Sequence, residues 1–232
     1  KDNLAKQGLE AVIVGMSGGI DSAVVAALAV EALGAGRVLG AALPTRFSSE
    51  DSFRFAEEQA RELGMPFLKV DADAPYAGFA ASLESAFLGR AFSLTDENLQ
   101  SRARGSLLMA LSSEPAVHGL LSSSKVCVLN TGNKSEAATG YFTLYGDGIG
   151  AFGPLGDCLK ARVRDLATVL PGVPAGVIAR PPTAELKPGQ TDEESLLPYR
   201  QLDAILAAAL EAQRPEEGLA DDLALLLDGD DL

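Results

Sequence analysis

The 232-residue sequence predicts an α/β protein, a doubly wound parallel sheet with helices on both faces. Three observations lead there. Short β-rich apolar runs alternate with longer helical runs, the pattern of a parallel sheet covered on both sides. The first apolar run ends in a Gly-rich turn that opens directly into a helical run, the local context in which backbone wraps an anion. A hydrophobic fraction of 47% over this length is enough for one sizeable core.

The elements follow in order. Strands are predicted over Ala11–Met16, Val38–Leu43, Phe67–Val70 and Val126–Leu129. Helices are predicted over Ser22–Leu33, Ser49–Leu63, Tyr76–Leu88, Glu97–Leu111, Leu159–Leu170 and Tyr199–Ala212, with a further one over Glu216–Leu227 before the acidic run Asp228–Asp231. A single domain over 1–232 is expected, with 213–232 a helical, acidic tail that is solvated and frayed. In such folds ligands bind at the carboxyl ends of the strands, near the switch in strand order.

Composition narrows the function. The formal charge of −13 argues against a nucleic-acid binder, which would carry a basic face. It also repels nucleotides on average, so a nucleotide site must gather its few cations locally. No apolar stretch is long enough to span a bilayer, and no leader pattern opens the chain, so a cytoplasmic protein is expected. Cys127 and Cys158 form neither a disulfide framework nor a metal cluster; Cys127 lies in an apolar strand and reads as core. His118, the only histidine, has no evident base or metal partner.

The most informative stretch is Ser17-Gly18-Gly19-Ile20-Asp21-Ser22. Its glycines let backbone pass close to phosphate oxygens, and a helix start presents free N–H groups to them. No Lys follows the glycines, so it is not a Walker A loop, and it is not G-x-G-x-x-G. Asp21 is a carboxylate inside an anion site, which makes sense if a divalent cation bridges it to phosphate. The structural alternative is a capped helix start, with Ser17 as cap and Asp21 favoured by the helix dipole. This hexapeptide resembles the pyrophosphate loop of the N-type ATP pyrophosphatases, a Rossmann-like, adenine nucleotide α-hydrolase-like group whose members adenylate a substrate oxygen and release pyrophosphate.

A second stretch, Thr131-Gly132-Asn133-Lys134-Ser135-Glu136, ends a strand and starts a helix. Asn133 and Glu136 are spaced as a cap and its reciprocal acceptor. Together with Gly140-Tyr141-Phe142-Thr143-Leu144-Tyr145-Gly146-Asp147, it resembles the NAD synthetases among those pyrophosphatases. The resemblance spans about Leu9 to Glu211. It implies amidation of deamido-NAD to NAD through an acyl-adenylate, with ATP, deamido-NAD and ammonia as partners and Mg2+ as cofactor. It also implies a homo-oligomer, a homodimer in the family. A GMP synthetase-like amidator and a non-catalytic nucleotide-binding module are the alternatives.

The resemblance carries roles onto matching positions. The loop residues Ser17, Gly18, Gly19, Ile20, Asp21 and Ser22 would bind ATP, with Arg46 of the Leu43-Pro44-Thr45-Arg46 turn, Thr131, Lys160 and Thr183. Asp21 and Glu136 would hold the metal, and Lys160 would stabilise departing pyrophosphate beside Asp21. Asn98 and Arg102, four apart on one helix face, would bind deamido-NAD, with Arg104 pointing elsewhere. Thr95 is the expected cap of that helix. Glu136, and Asp192 and Glu193 of the segment Pro181–Leu196, would also face this substrate, although Thr191 as a helix cap explains the local chemistry there without function. Leu144 and Ala151 replace the Lys and Asp of ammonia-dependent members, so the pattern is more similar to the synthetase half of glutamine-dependent ones, which draw ammonia from a glutaminase domain or subunit. A basic C-terminal segment common in the family is not found in this sequence.

Overall fold

The computed structural model describes residues 1–87, 89, 91–187, 189–192 and 195–211. The expected helix at Glu216–Leu227, the acidic run Asp228–Asp231, Leu88 and Glu193 lie outside the described residues.

Four parallel strands, β1 (Ala11–Gly15), β2 (Val38–Ala42), β3 (Phe67–Lys69) and β4 (Val126–Leu129), form one sheet in the order β3-β2-β1-β4. β1 is central; Val12 pairs with Val38 on one side and with Cys127 on the other. The strand order reverses between β1 and β4, so the crevice for a ligand opens after β1. Strand residues alternate between two apolar layers. Val12, Val14 and Val38 join one, Ala11, Ile13, Leu39 and Ala41 the other. Both faces are therefore buried, as continuous apolar strands require.

Helices cover both layers. The first layer holds α2 (Ile20–Leu33), α3 (Glu50–Leu63), α8 (Lys160–Val169) and α9 (Ala175–Ala179). The second holds α5 (Leu94–Ser113) and α6 (Pro115–His118), with α4 (Asp73–Phe87) against α5. A short α1 (Asp2–Lys6) precedes β1; α7 (Lys134–Thr139) follows β4; α10 (Tyr199–Leu206) runs into a π turn, Ala207–Glu211.

The strands and helices expected within the described residues are present, with shifted ends. Met16 lies just past β1, yet its N–H donates to Ala41 O at 2.8 Å. α4 starts at Asp73, earlier than Tyr76, where the Asp71 carboxylate accepts from Asp73 N–H at 2.8 Å. α5 starts at Leu94 with Ser93 rather than Thr95 as cap, because Asp96 completes a capping box with Ser93. Directly after Thr191, Asp192 has 3-10 geometry, and its carbonyl accepts from Ser195 and Leu196 N–H. α1, α6 and α9 are too short to leave a periodic signal. His118 lies in α6, its Nε2 at 2.9 Å from Ser112 O.

Gly40 sits in mid-β2 where a Cβ would lie 2.5 Å from Met16 Sδ and 2.8 Å from Met65 Cε. Gly40→Ala overpacks that layer and should lower stability by about 1–3 kcal/mol, measured by urea unfolding. Unchanged stability would show that the two methionines yield freely.

Candidate functional site

The phosphate-type loop closes on itself through its serines. Gly18 has φ 76°, and a Cβ there would fall 2.2 Å from Ser52 O, so only glycine lets the loop pass α3. Gly19, not Ser17, is the N-cap of α2, with no side-chain cap. Ser17 Oγ accepts from Gly19 N–H at 3.2 Å. Ser22 Oγ donates to Gly19 O at 3.0 Å and accepts from Ser17 N–H at 3.2 Å. Ser17 cannot cap because it holds the turn before the helix. The first N–H groups of a helix have no intrahelical partner, and Gly19, Ile20, Asp21 and Ser22 line a cleft of about 630 Å3.

Beside the loop, Lys160 joins two carboxylates that lie far apart in sequence. Its Nζ donates to Asp21 Oδ2 at 2.5 Å and to Glu136 Oε1 at 3.2 Å. Asn133 orders the same pair. Its Nδ2 donates to Asp21 Oδ1 at 2.9 Å, and it forms the expected capping box of α7 with Glu136. The Lys160 side chain is 2% exposed, and its Nζ lies 4.9 Å from the centre of the Tyr199 ring. Tyr199 OH donates to Asp192 Oδ2 at 3.0 Å, and Tyr141 OH reaches Oδ1 at 3.4 Å.

The charges shape one another. Burial works against the Lys160 ammonium, but Asp21 and Glu136 outweigh it and hold its pKa above the ordinary lysine value. Burial, and then the Asp21 charge, push the Glu136 carboxyl up to about 7 despite Lys160. Burial also raises Asp192, with Lys160 opposing. One ammonium thus faces a surplus of carboxylate. Among the described residues no three His, Cys, Asp or Glu side chains group to hold a metal ion. Two hard oxygen donors with surplus negative charge still suit Mg2+, which takes one or two carboxylates and completes its shell with substrate phosphates and water.

The segment after α9 covers the loop side of the cleft. Arg180 donates to Ser52 Oγ at 2.5 Å, to Ser49 Oγ at 3.2 Å, and pairs with Glu185. Glu185 Oε2 accepts from Ser52 Oγ at 2.7 Å and from Ser49 N–H at 3.2 Å. Burial opposes the Glu185 charge, yet these hydrogen bonds and Arg180 hold its pKa below the usual value. Thr183 donates to Gln190 O at 2.5 Å, while Gln190 reaches Glu97 Oε2 at 3.1 Å.

Of the residues expected from sequence, Ser17, Gly19 to Ser22, Asn98, Thr131, Glu136, Lys160, Thr183 and Asp192 line this one cleft. Asn98 lies on α5 and accepts from Thr143 Oγ1 at 2.7 Å. Arg46 and Arg102 are not among the lining residues. Arg46 is engaged by Asp73 at 2.8 Å, and Arg102 Nε donates to Leu144 O at 3.2 Å. Arg104 does line the cleft, its Nε donating to Leu43 O at 3.0 Å. Arg180, Glu185, Tyr141 and Tyr199 were not singled out from sequence. Glu185 stands in the segment Pro181–Leu196, but its partner Arg180 lies just before that segment and in no motif.

The fold and the site define an α/β protein with a phosphate-type loop at the switch in its parallel sheet and a buried lysine-carboxylate cluster beside it. The family model for NAD synthase matches residues 1–225, and the chain belongs to that family. It is 44% identical over 225 residues to a glutamine-dependent NAD(+) synthetase of Xylella fastidiosa, covering 94% of this chain and 40% of that protein. A glutamine-dependent NAD+ synthetase of Acinetobacter baumannii, solved with adenosine diphosphate, superposes with a TM-score of 0.70 at 36% identity, covering 98% of this chain and 42% of the other. An NMN synthetase of Francisella tularensis superposes at 0.79 with 27% identity, over 97% and 86%. The chain thus spans about two fifths of the length of the glutamine-dependent relatives.

The raised Glu136 pKa sets a pH dependence. The folded state binds a proton that the unfolded state releases at its lower pKa, so stability falls as pH rises from about 4.5 to about 7. Glu136→Gln keeps the capping-box geometry and removes the titration. In metal-free buffer the variant should gain about 1–3 kcal/mol on the wild type between pH 5 and pH 8, read by urea unfolding at both. A constant difference would show that Glu136 titrates normally.

Proposed function

We propose that this chain amidates deamido-NAD to NAD at the cost of ATP, releasing AMP and pyrophosphate. The observation that carries the reading is the Lys160–Asp21–Glu136 cluster at the mouth of the phosphate-type loop, in a cleft that continues to Asn98. Membership of the NAD synthase family supports it.

The deamido-NAD carboxylate attacks the α-phosphorus of ATP, and the bond from that phosphorus to the bridging oxygen breaks. Pyrophosphate leaves with the electron pair. The loop N–H groups and Lys160 stabilise the charge that develops on it. Ammonia then adds to the activated carbonyl, and AMP leaves from it as NAD forms. Asp21 and Glu136 would hold Mg2+, which would supply positive charge against the phosphates. Asn98 contacts the dinucleotide, as does Asp192 of the covering segment, with Glu193 next to Asp192 in sequence, while Thr183 of that segment contacts ATP. Arg102 would act at the rim, and Arg46 on ATP after parting from Asp73. The chain works as a homo-oligomer.

The TM-score to an NMN synthetase favours a second reading, the same amidation on the deamido mononucleotide. Purified chain supplied with ATP, Mg2+ and ammonium, and with each deamido substrate in turn, should form NAD faster than NMN. NMN as the faster product would favour the second reading, and no amide product from either would remove both.

Asp21→Asn keeps an acceptor for Asn133 but removes the charge facing Lys160 and the metal. Turnover should fall about 100-fold or more in a protein that stays folded at the assay temperature, with Glu136 still paired to Lys160. Near wild-type turnover at saturating Mg2+ would remove the metal role.

Nitrogen choice gives another test. Neither cysteine lines the cleft, and burial pushes the Cys127 thiol up, away from a reactive thiolate. Assayed alone, the 232-residue chain should use ammonium and fail with glutamine. Efficient glutamine-driven product formation would overturn this.

A further inference from the structure

Lys160 is the first residue of α8, and what holds that helix start is on another helix. The residue before it, Leu159, provides no side-chain cap. Asp203 of α10, 5% exposed, takes the place of one. Its Oδ2 accepts from Ala161 N–H at 2.6 Å, and its Oδ1 accepts from Ser135 Oγ at 2.5 Å. Ser135 Oγ in turn accepts from Lys160 N–H at 2.9 Å. Ser135 is fully buried and immediately precedes Glu136.

One carboxylate therefore locks two helix starts together, the one that presents Glu136 and the one that presents Lys160. A negative charge at the first N–H groups of α8 is also favoured by the helix dipole. The same helix, α10, begins with Tyr199, whose ring lies by Lys160 Nζ and whose hydroxyl bonds Asp192. Asp203 is not among the residues lining the cleft; it acts on the start of α8 through Ala161 N–H and the Ser135 hydroxyl.

We propose that Asp203 is a positioning residue, which sets Lys160 against Asp21 and Glu136 by capping α8 from α10 through Ser135. Its bearing on phosphate binding rests on the reading of Lys160 given above. A reactive group moved by about 1 Å can lose about 100-fold in rate, so a residue that fixes such a group has a large effect without contact.

Asp203→Asn retains size but replaces one acceptor with a donor, facing either Ala161 N–H or the Ser135 hydroxyl. Ser135→Ala removes the relay alone, and carries the test should the first variant not fold. Two measurements are made. Calorimetric titration with magnesium pyrophosphate is done on wild type, Asp203→Asn, Lys160→Met and the double variant. Affinity should fall about tenfold for Asp203→Asn in the wild-type background and stay unchanged on Lys160→Met, because the first acts through the second. Crystal structures of wild type and variants should show Lys160 Nζ withdrawn from the Asp21–Glu136 pair.

Equal losses in both backgrounds, or a Lys160 that stays in place in a folded variant, would overturn the proposal. If wild type binds no pyrophosphate, or Lys160→Met binds it as tightly as wild type, the phosphate role of Lys160 falls. The position of Lys160 in the crystal structures then decides the role of Asp203 by itself.

Discussion

The site depends on one buried ammonium between two carboxylates. Removing such charges from water is costly, and the cost is offset only where geometry is tight and the remaining polar atoms are satisfied. Here each partner comes from a different strand end or helix start: Asp21 after β1, Glu136 after β4, Lys160 on α8. Asn133 supplies a further hydrogen bond to Asp21, and Asp203 holds the start of α8. The ion cluster thus couples the switch point of the sheet to helices that reach it only through tertiary packing. Its surplus negative charge suits a cation, which would convert the carboxylate pair from a feature that repels phosphate into an attachment point.

The covering segment is anchored at two places with different chemistry. At one end Arg180 and Glu185 grip Ser49 and Ser52 at the start of α3, against which the Gly18 loop is packed. At the other end Asp192 is held by Tyr141 and Tyr199, next to Lys160. Between them, Gln100 Nε2 donates to Leu186 O at 2.8 Å and ties the segment to α5. The segment therefore contacts both the start of α3 beside the loop and the surroundings of the lysine.

The strands were legible because apolar β-rich runs bounded by turn residues have few other structural solutions, and the phosphate-type loop because its glycines sit where backbone must pass closely. At Gly18 the close neighbour is α3: its positive φ and its contact with Ser52 exclude a side chain, and it is not among the residues lining the cleft. The Asn133–Glu136 box was legible for the same local reason. Helix starts were less so. Ser17 and Thr95 are good caps by type, but Ser17 is engaged within the loop and Ser93 gains a reciprocal partner in Asp96, so the caps fall elsewhere. The two arginines were the least legible. Nothing in an Asn-x-x-x-Arg spacing tells that Arg102 turns to the Leu144 carbonyl or that Arg104 faces the cleft.

The sequence by itself determined the alternation of strands and helices, the parallel sheet, the loop after β1 and the residue types that could treat phosphate. These are properties of contiguous residues, governed by periodicity, backbone freedom and local hydrogen bonding. Tertiary structure alone decided that Lys160 stands between Asp21 and Glu136, that Asp203 caps a helix 42 residues away, and that Arg180 meets Glu185 over the start of α3. Those pairings join charges whose separation along the chain carries no signal, because their energy depends on burial and on distance in space, and both exist only once the layers have packed.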